Sequence, residues 1–165
     1  LDAGFTKDSL SLATRDIAVQ IALGLMFGKG TEFFQELYDA GLIIKPLGYS
    51  YTFEEDYAYS AIEGESYQYR EVIEKIKQRI QEVKSHQLDT EEFENMKNSM
   101  YGDYVRMFNS VSGIATTFIN NYFRGIDTSD YAEAFQNITI EDVEKVIQEH
   151  FDFDKMAVSI IESKS

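Results

Sequence analysis

From Ser9 to Phe27 the apolar residues Leu10, Ala13, Ile17, Ala18, Ile21, Ala22, Leu25 and Met26 return every three or four positions, the period of a helix with one broad buried face. Asp8 or Ser9 stands where its cap belongs. Gly28 and Gly30 end that run, Thr31 is placed to cap a short second helix, and Gly41 is placed to close it in a left-handed conformation. Residues 24–42 therefore read as helix, turn, helix and then extended chain, and the remaining elements are organised around them.

Beyond Pro46, Leu47, Tyr49, Tyr51 and Phe53 alternate with Gly48, Ser50 and Thr52, which predicts a strand with one aromatic face. After the acidic turn Glu54, Glu55, Asp56, residues 57–64 alternate again, so the two runs are expected to pair as an antiparallel hairpin. Over residues 68–87, Val72, Ile73, Ile76, Ile80 and Val83 share one helix face. Asp89, with Glu92 three positions on, starts another helix through Phe93, Met96, Met100 and Tyr104. Ser110 is expected to cap a helix whose Val111, Ile114, Ala115, Phe118 and Tyr122 face inward and which Gly125 ends. A short helix at residues 130–135, capped by Thr128 or Ser129, comes next. A last helix, capped by Thr139, carries Ile140, Val143, Val146 and Ile147, and a closing strand is expected over residues 155–161.

A hairpin followed by a block of helices and one returning strand predicts an α+β fold, an antiparallel or mixed sheet covered by helices, rather than a doubly wound one. There is no internal repeat and no linker rich in Pro, Gly or Ser, so residues 1–165 are expected to form a single domain. At 165 residues and 44% hydrophobic content the chain can bury one sizeable core.

Charge narrows the partners. A net charge of −14 disfavours nucleic acid, whose binding is driven by Lys and Arg neutralising phosphates, and equally an anionic membrane surface. With no cysteine there is no disulfide, thiolate zinc or cysteine nucleophile. No apolar run is expected to reach the length that spans a bilayer, and Leu1 to Asp8 lack the features of a signal peptide, which favours the cytoplasm. A chain that starts at Leu1 without methionine is expected to be a processed product or a fragment.

The candidate chemistry is thin. Three consecutive carboxylates in a turn point apart, whereas a hard cation needs a convergent cage, so Glu54 to Asp56 read as a solvated turn. Gly28-Lys29-Gly30 lacks the residues of a phosphate loop and reads as a helix end. Val146-Ile147-Gln148-Glu149-His150 matches the end of the helical zinc signature H-x-x-E-H but has Val146 where the first histidine belongs. One histidine cannot hold a catalytic zinc, so His150, like His86, is expected to sit at a helix C-terminus for the favourable dipole. No catalytic or metal-binding residue is therefore expected in the chain.

The hinge carries more than its chemistry. Leu25-Met26-Phe27-Gly28, then Glu32-Phe33-Phe34-Gln35-Glu36-Leu37 and Gly41-Leu42, resembles the insulinase and pitrilysin-like zinc peptidases, and so does the close from Ser110-Val111 through Ile138-Thr139-Ile140-Glu141-Asp142-Val143 to a final apolar strand. Members pair an amino-terminal half bearing H-x-x-E-H with a similar carboxy-terminal half that lacks it, and the two close around a peptide. Because H-x-x-E-H is absent here, the resemblance implies a non-catalytic carboxy-terminal domain lining the chamber, with zinc and its base on the other half. The implied partners are that catalytic half, or a partner subunit of the same family, and a peptide substrate, with neither nucleic acid nor membrane. Many members place a substrate-binding Arg and Tyr around this hinge. Those positions correspond to Tyr38 and, after a one-residue shortening before Gly41, to Ile44, which leaves Tyr38 as the one expected substrate contact. The alternatives are a catalytically silent structural or assembly subunit of the family, or a stand-alone module that binds an extended peptide. A large exposed apolar patch would speak against the stand-alone module and for a missing half.

Overall fold

A computed structural model of the chain describes residues 8–54 and 56–162. Among these residues, seven helices and one hairpin form: α1 (Ser9–Phe27), α2 (Glu32–Asp39), β1 (Gly48–Phe53), β2 (Ala58–Glu63), α3 (Tyr69–Ser85), α4 (Thr90–Met107), α5 (Val111–Phe123), α6 (Thr128–Asn137) and α7 (Ile140–His150), followed by a 3-10 turn at Phe153–Lys155. The fold is α+β, as the pattern predicts.

Helix α1 is the axis of the molecule. Asp8 caps it by accepting the Ser11 N–H at 3.0 Å, and α4, α6, α7 and β1 all pack on it. Its burial is wider than one face: from Asp16 to Gly28 only Gln20 is not fully buried. A helix that is apolar nearly all round belongs at the centre of a fold or in a bilayer. Contrary to expectation, the stretch Ser9–Asp39 contains a run long and apolar enough to cross a membrane by length and composition. In the structure 67% of that run is buried inside the protein, where the surrounding helices supply the apolar contacts.

The hairpin is antiparallel, with Tyr49 opposite Ile62 and Tyr51 opposite Ser60. The aromatic face of β1 turns inward along the strand: Tyr49 is exposed, while Tyr51 and Phe53 stack at 5.6 Å and are buried with Leu47. Reciprocal bonds join α3 to α7. Lys84 Nζ donates to the carbonyls of Gln148 (3.2 Å) and Phe151 (2.6 Å) at the α7 terminus, and Gln148 Nε2 donates back to the Lys84 carbonyl at 2.8 Å. A cation on the last carbonyls of a helix satisfies orphan acceptors and complements the dipole. Thr139 and Asp142 close a full capping box at the start of α7.

Three further expectations need correcting. The cap of α6 is Asp127, one residue earlier than expected: its carboxylate accepts both the Ser129 N–H (2.8 Å) and the Ser129 hydroxyl (2.6 Å), so Thr128 and Ser129 fall inside the first turn. These two bonds hold the Asp127 pKa below the usual carboxylate value. The closing strand does not form: after the 3-10 turn, residues 156–162 run without a ladder, and the only strands paired among the described residues are β1 and β2. Alternating apolar side chains favour a strand, but only an open partner edge can satisfy its backbone. The third correction concerns α5. Val111, Ile114, Ala115, Phe118 and Tyr122 point outward instead of inward, and Asn121 is the one fully buried residue of the helix.

Candidate functional site

Local bonding builds the α1–α2 hinge. The Gly28 N–H donates to the Gly24 carbonyl at 2.9 Å and ends α1. Thr31 then works in both directions, its hydroxyl donating to the Gly28 carbonyl (2.8 Å) and accepting the Phe34 N–H (3.2 Å). Phe33 and Leu37 bury one face of α2, and Phe33 meets Phe27 edge-on with ring centroids 5.9 Å apart. The other face carries Gln35, whose amide donates to Asp39 Oδ1 at 2.8 Å, and Tyr38.

Gly41 closes the helix with φ +67°. The Leu42 N–H donates to the Leu37 carbonyl at 2.9 Å and the Gly41 N–H to the Tyr38 carbonyl at 3.0 Å, and Leu37 and Leu42 are both buried. Those are the two bonds and the apolar contact of a Schellman motif. A Cβ on Gly41 would meet nothing within 4 Å, so Gly41→Ala tests the backbone conformation alone. The expected loss is about 1 kcal/mol of stability, read from the urea midpoint; an unshifted midpoint would overturn this account of the hinge.

The turn leaves Tyr38 and Ile44 in solvent on its two sides. Tyr38 is 52% exposed, with its ring 5.8 Å from Phe34, and Ile44 lies between buried Ile43 and Lys45, whose ammonium pairs with Glu65 at 2.6 Å. Tyr38 thus presents an exposed ring and hydroxyl on α2, and Ile44 an exposed apolar side chain after the turn.

The two histidines serve separate elements. His150, the last residue of α7, brings Nε2 within 2.9 Å of the Ser60 hydroxyl, with its ring edge-on to Tyr51 (5.3 Å) and Phe151 (5.1 Å), so it fastens the helix end to the hairpin. Val146 is buried in the α7 stripe. His86 follows α3, its Nδ1 2.8 Å from the Glu82 carbonyl and 3.0 Å from the Ser85 hydroxyl. Among the described residues no three His, Asp or Glu converge as metal ligands, so these residues do not fit a zinc ion. In the acidic turn the Glu54 N–H donates to the Tyr57 carbonyl and Asp56 is exposed; Glu55 lies outside the described residues.

Two features escaped the sequence reading. Asp16, only 2% exposed, sits inside the fold. It accepts the Tyr131 hydroxyl at 2.8 Å and the Gln20 amide at 2.7 Å. Burial pushes its carboxyl pKa up, and the bonds from Tyr131 and Gln20 and the charge of Arg124 only partly oppose that. The spacing of Asp16 and Gln20, one turn apart, was the available signal, but Tyr131 lies 115 residues away. The second feature is the outer face of α5, where Val111 (85% exposed), Phe118 (59%), Tyr122 (72%) and Phe123 (77%) adjoin exposed Val105 and Phe108 at the end of α4. No charged residue occurs between Val111 and Phe123. Large exposed apolar patches occur at interaction surfaces and binding grooves.

No family model matches the chain. The uncharacterized zinc protease YmfH of Bacillus subtilis (strain 168) is 26% identical over 155 residues, which are 93% of this chain and 36% of that protein. Among solved structures, a candidate M16-like peptidase from Alicyclobacillus acidocaldarius superposes with a TM-score of 0.80 at 23% identity, over 86% of this chain and 34% of that one. A protease from Helicobacter pylori superposes with a TM-score of 0.71 at 16% identity, over 84% of this chain and 35% of that one. The chain therefore spans about a third of the length of each of these proteins. The likeness read from the hinge extends over the fold: the chain is similar in sequence to a zinc protease and shares its α+β fold with part of the M16-like peptidase structure.

Proposed function

We propose that this chain is a single, non-catalytic, carboxy-terminal domain of a longer zinc-dependent peptidase, and that it forms part of the wall of a peptide-binding chamber. The observation that carries the reading is the match to a zinc protease over nearly the whole chain but only about a third of the relative, in a chain whose described residues gather no metal ligands. The outer face of α5 supports it, because a stand-alone module would leave that apolar surface wet. In the parent protein zinc would polarise the scissile carbonyl and activate water on the other half, with a Glu there as base. This domain would hold peptide, with Tyr38 as the contact.

The test uses the full-length protein. It is expected to bind zinc and cleave a quenched-fluorescence peptide, whereas the 165-residue chain alone does neither. In the full-length enzyme Tyr38→Ala is expected to raise KM about fivefold with kcat little changed, the signature of lost uniform binding. An unchanged KM would remove Tyr38 from the site.

One observation favours a second reading. Tyr38 and Ile44 stand where many family members carry a substrate-binding Arg and Tyr. If the natural coding region encodes no H-x-x-E-H, the parent protein is a silent structural subunit, and cleavage would require a catalytic partner added in trans.

A further inference from the structure

Helix α5 is fixed at both ends and held by little in between. Ser110 caps its start, accepting the Gly113 N–H at 2.9 Å, and Gly125, with φ +74°, closes its end. Just past that glycine the chain is anchored again: Ile126 is buried, and the Asp127 N–H donates to the Ser9 hydroxyl of α1 at 2.8 Å. Between these points α5 packs chiefly on α4 and α6, and Asn121 is its one fully buried residue. Even that residue adds little, because its buried amide nitrogen meets no acceptor among the described residues, and an unmet buried donor costs free energy. A helix with so little buried apolar area belongs to the part of a fold that opens before the rest.

What ties the far end of α5 to the body of the molecule is Arg124, the half-buried residue that caps the helix. Its guanidinium carbon lies 5.0 Å from the centre of the Phe53 ring, which is buried at the end of β1. Its charge also bears on Asp16 of α1, the carboxylate that accepts the Tyr131 and Gln20 bonds. One side chain thus couples α5 to the hairpin, to α1 and, through Tyr131, to α6. We propose that α5 opens and closes as a separate unit, a strap between fixed points at residues 108–110 and Gly125, and that Arg124 is the latch that holds it shut. Stacking on a buried ring and attraction to a buried carboxylate both suit a flat guanidinium that is always charged. The latch needs neither zinc nor peptide, so the inference stands or falls apart from the peptidase reading.

Hydrogen exchange of the 165-residue chain at pH 7, followed by mass spectrometry, tests it. Relative to their intrinsic rates, the amides of 114–123 are expected to exchange about a hundredfold or more faster than those of 17–26 in α1. Arg124→Leu, which keeps an apolar stem over Phe53, is expected to speed α5 exchange about tenfold and to leave α1 and α7 unchanged. Arg124→Lys keeps the charge at the helix end but not the flat guanidinium, so it is expected to recover only part of that loss. Asp16→Asn is expected to speed α5 exchange about threefold alone and not at all when combined with Arg124→Leu, because the carboxylate acts on α5 through the guanidinium. Amides of α5 that exchange as slowly as those of α1 would overturn the proposal, since α5 would then open only with the whole fold. So would an Arg124→Leu effect shared equally by every helix. Full recovery by Arg124→Lys would overturn the latch by assigning the effect to the helix dipole.

Discussion

Phe27→Ala is expected to cost about 3–5 kcal/mol of stability, the range for truncating a fully buried aromatic side chain. Phe27 is the last residue of α1 and is 1% exposed. Its ring meets Phe33 of α2 edge-on, so it spans the turn that joins the two helices. Two losses combine: the transfer free energy of a benzyl group, and the cavity left because Gly28 and Thr31 fix the path of the turn by hydrogen bonds that cannot close over the gap. Against a total of about 5–15 kcal/mol for a protein of this kind, that loss leaves little reserve. Urea unfolding followed by circular dichroism measures it. Phe27→Leu keeps most of the volume and is expected to cost less than about half as much. Equal costs for Leu and Ala would mean that volume at this point does not matter, contrary to the packing described.

Tyr131→Phe is expected to cost about 2–3 kcal/mol at neutral pH, although it removes one oxygen and leaves the ring stacked on Tyr104 at 5.3 Å. The oxygen is the donor to a buried Asp16 carboxylate, and without it Oδ2 loses its partner while still desolvated. The pH dependence separates this cause from a packing defect. Asp16 has a folded pKa raised above its unfolded value, so the folded state holds the proton more tightly. The stability linked to that proton is full below the unfolded value, near 4, and is lost as pH rises through the folded value. Removing the Tyr131 hydroxyl raises the folded value further. The deficit of Tyr131→Phe should therefore be smaller at pH 4.5 than at pH 7, whereas a packing defect would be the same at both. Asp16→Asn cannot ionise, so its stability relative to the native chain should improve as pH rises over the same interval. Asp8, Asp127 and Asp152 are held below the usual value and contribute the opposite slope. They are common to all three proteins and cancel in the differences.

What could be read from the chain was local. The bounds of α1, the Thr31 and Gly41 ends of α2, the hairpin and the Thr139 cap all rest on interactions within a few residues, and the structure has each of them. The misreadings share one cause. Periodicity identifies which side of α5 is apolar, and alternation identifies residues 155–161 as strand-like, but neither says what lies opposite. In the described fold nothing does. Asp16 failed to register for a related reason, since a carboxylate in a buried stripe is tolerable only if a distant donor comes to it, and Tyr131 arrives from α6. Of the candidate site, the hinge that presents Tyr38 was legible because a Schellman motif is a sequence of local bonds.

The uncharged outer face of α5 gives the chain's acidity a second meaning. Two copies approaching through that face each carry a net charge of −14. Their repulsion acts over a Debye length of about 8 Å at physiological salt, a little beyond the reach of apolar contact. Beyond the carboxylates that cap helices, the excess negative charge makes like-with-like association costly, while a neutral or basic surface approaches without that cost. The net charge of the chain thus sets an electrostatic cost on bringing two such faces together, a cost that rises as salt falls.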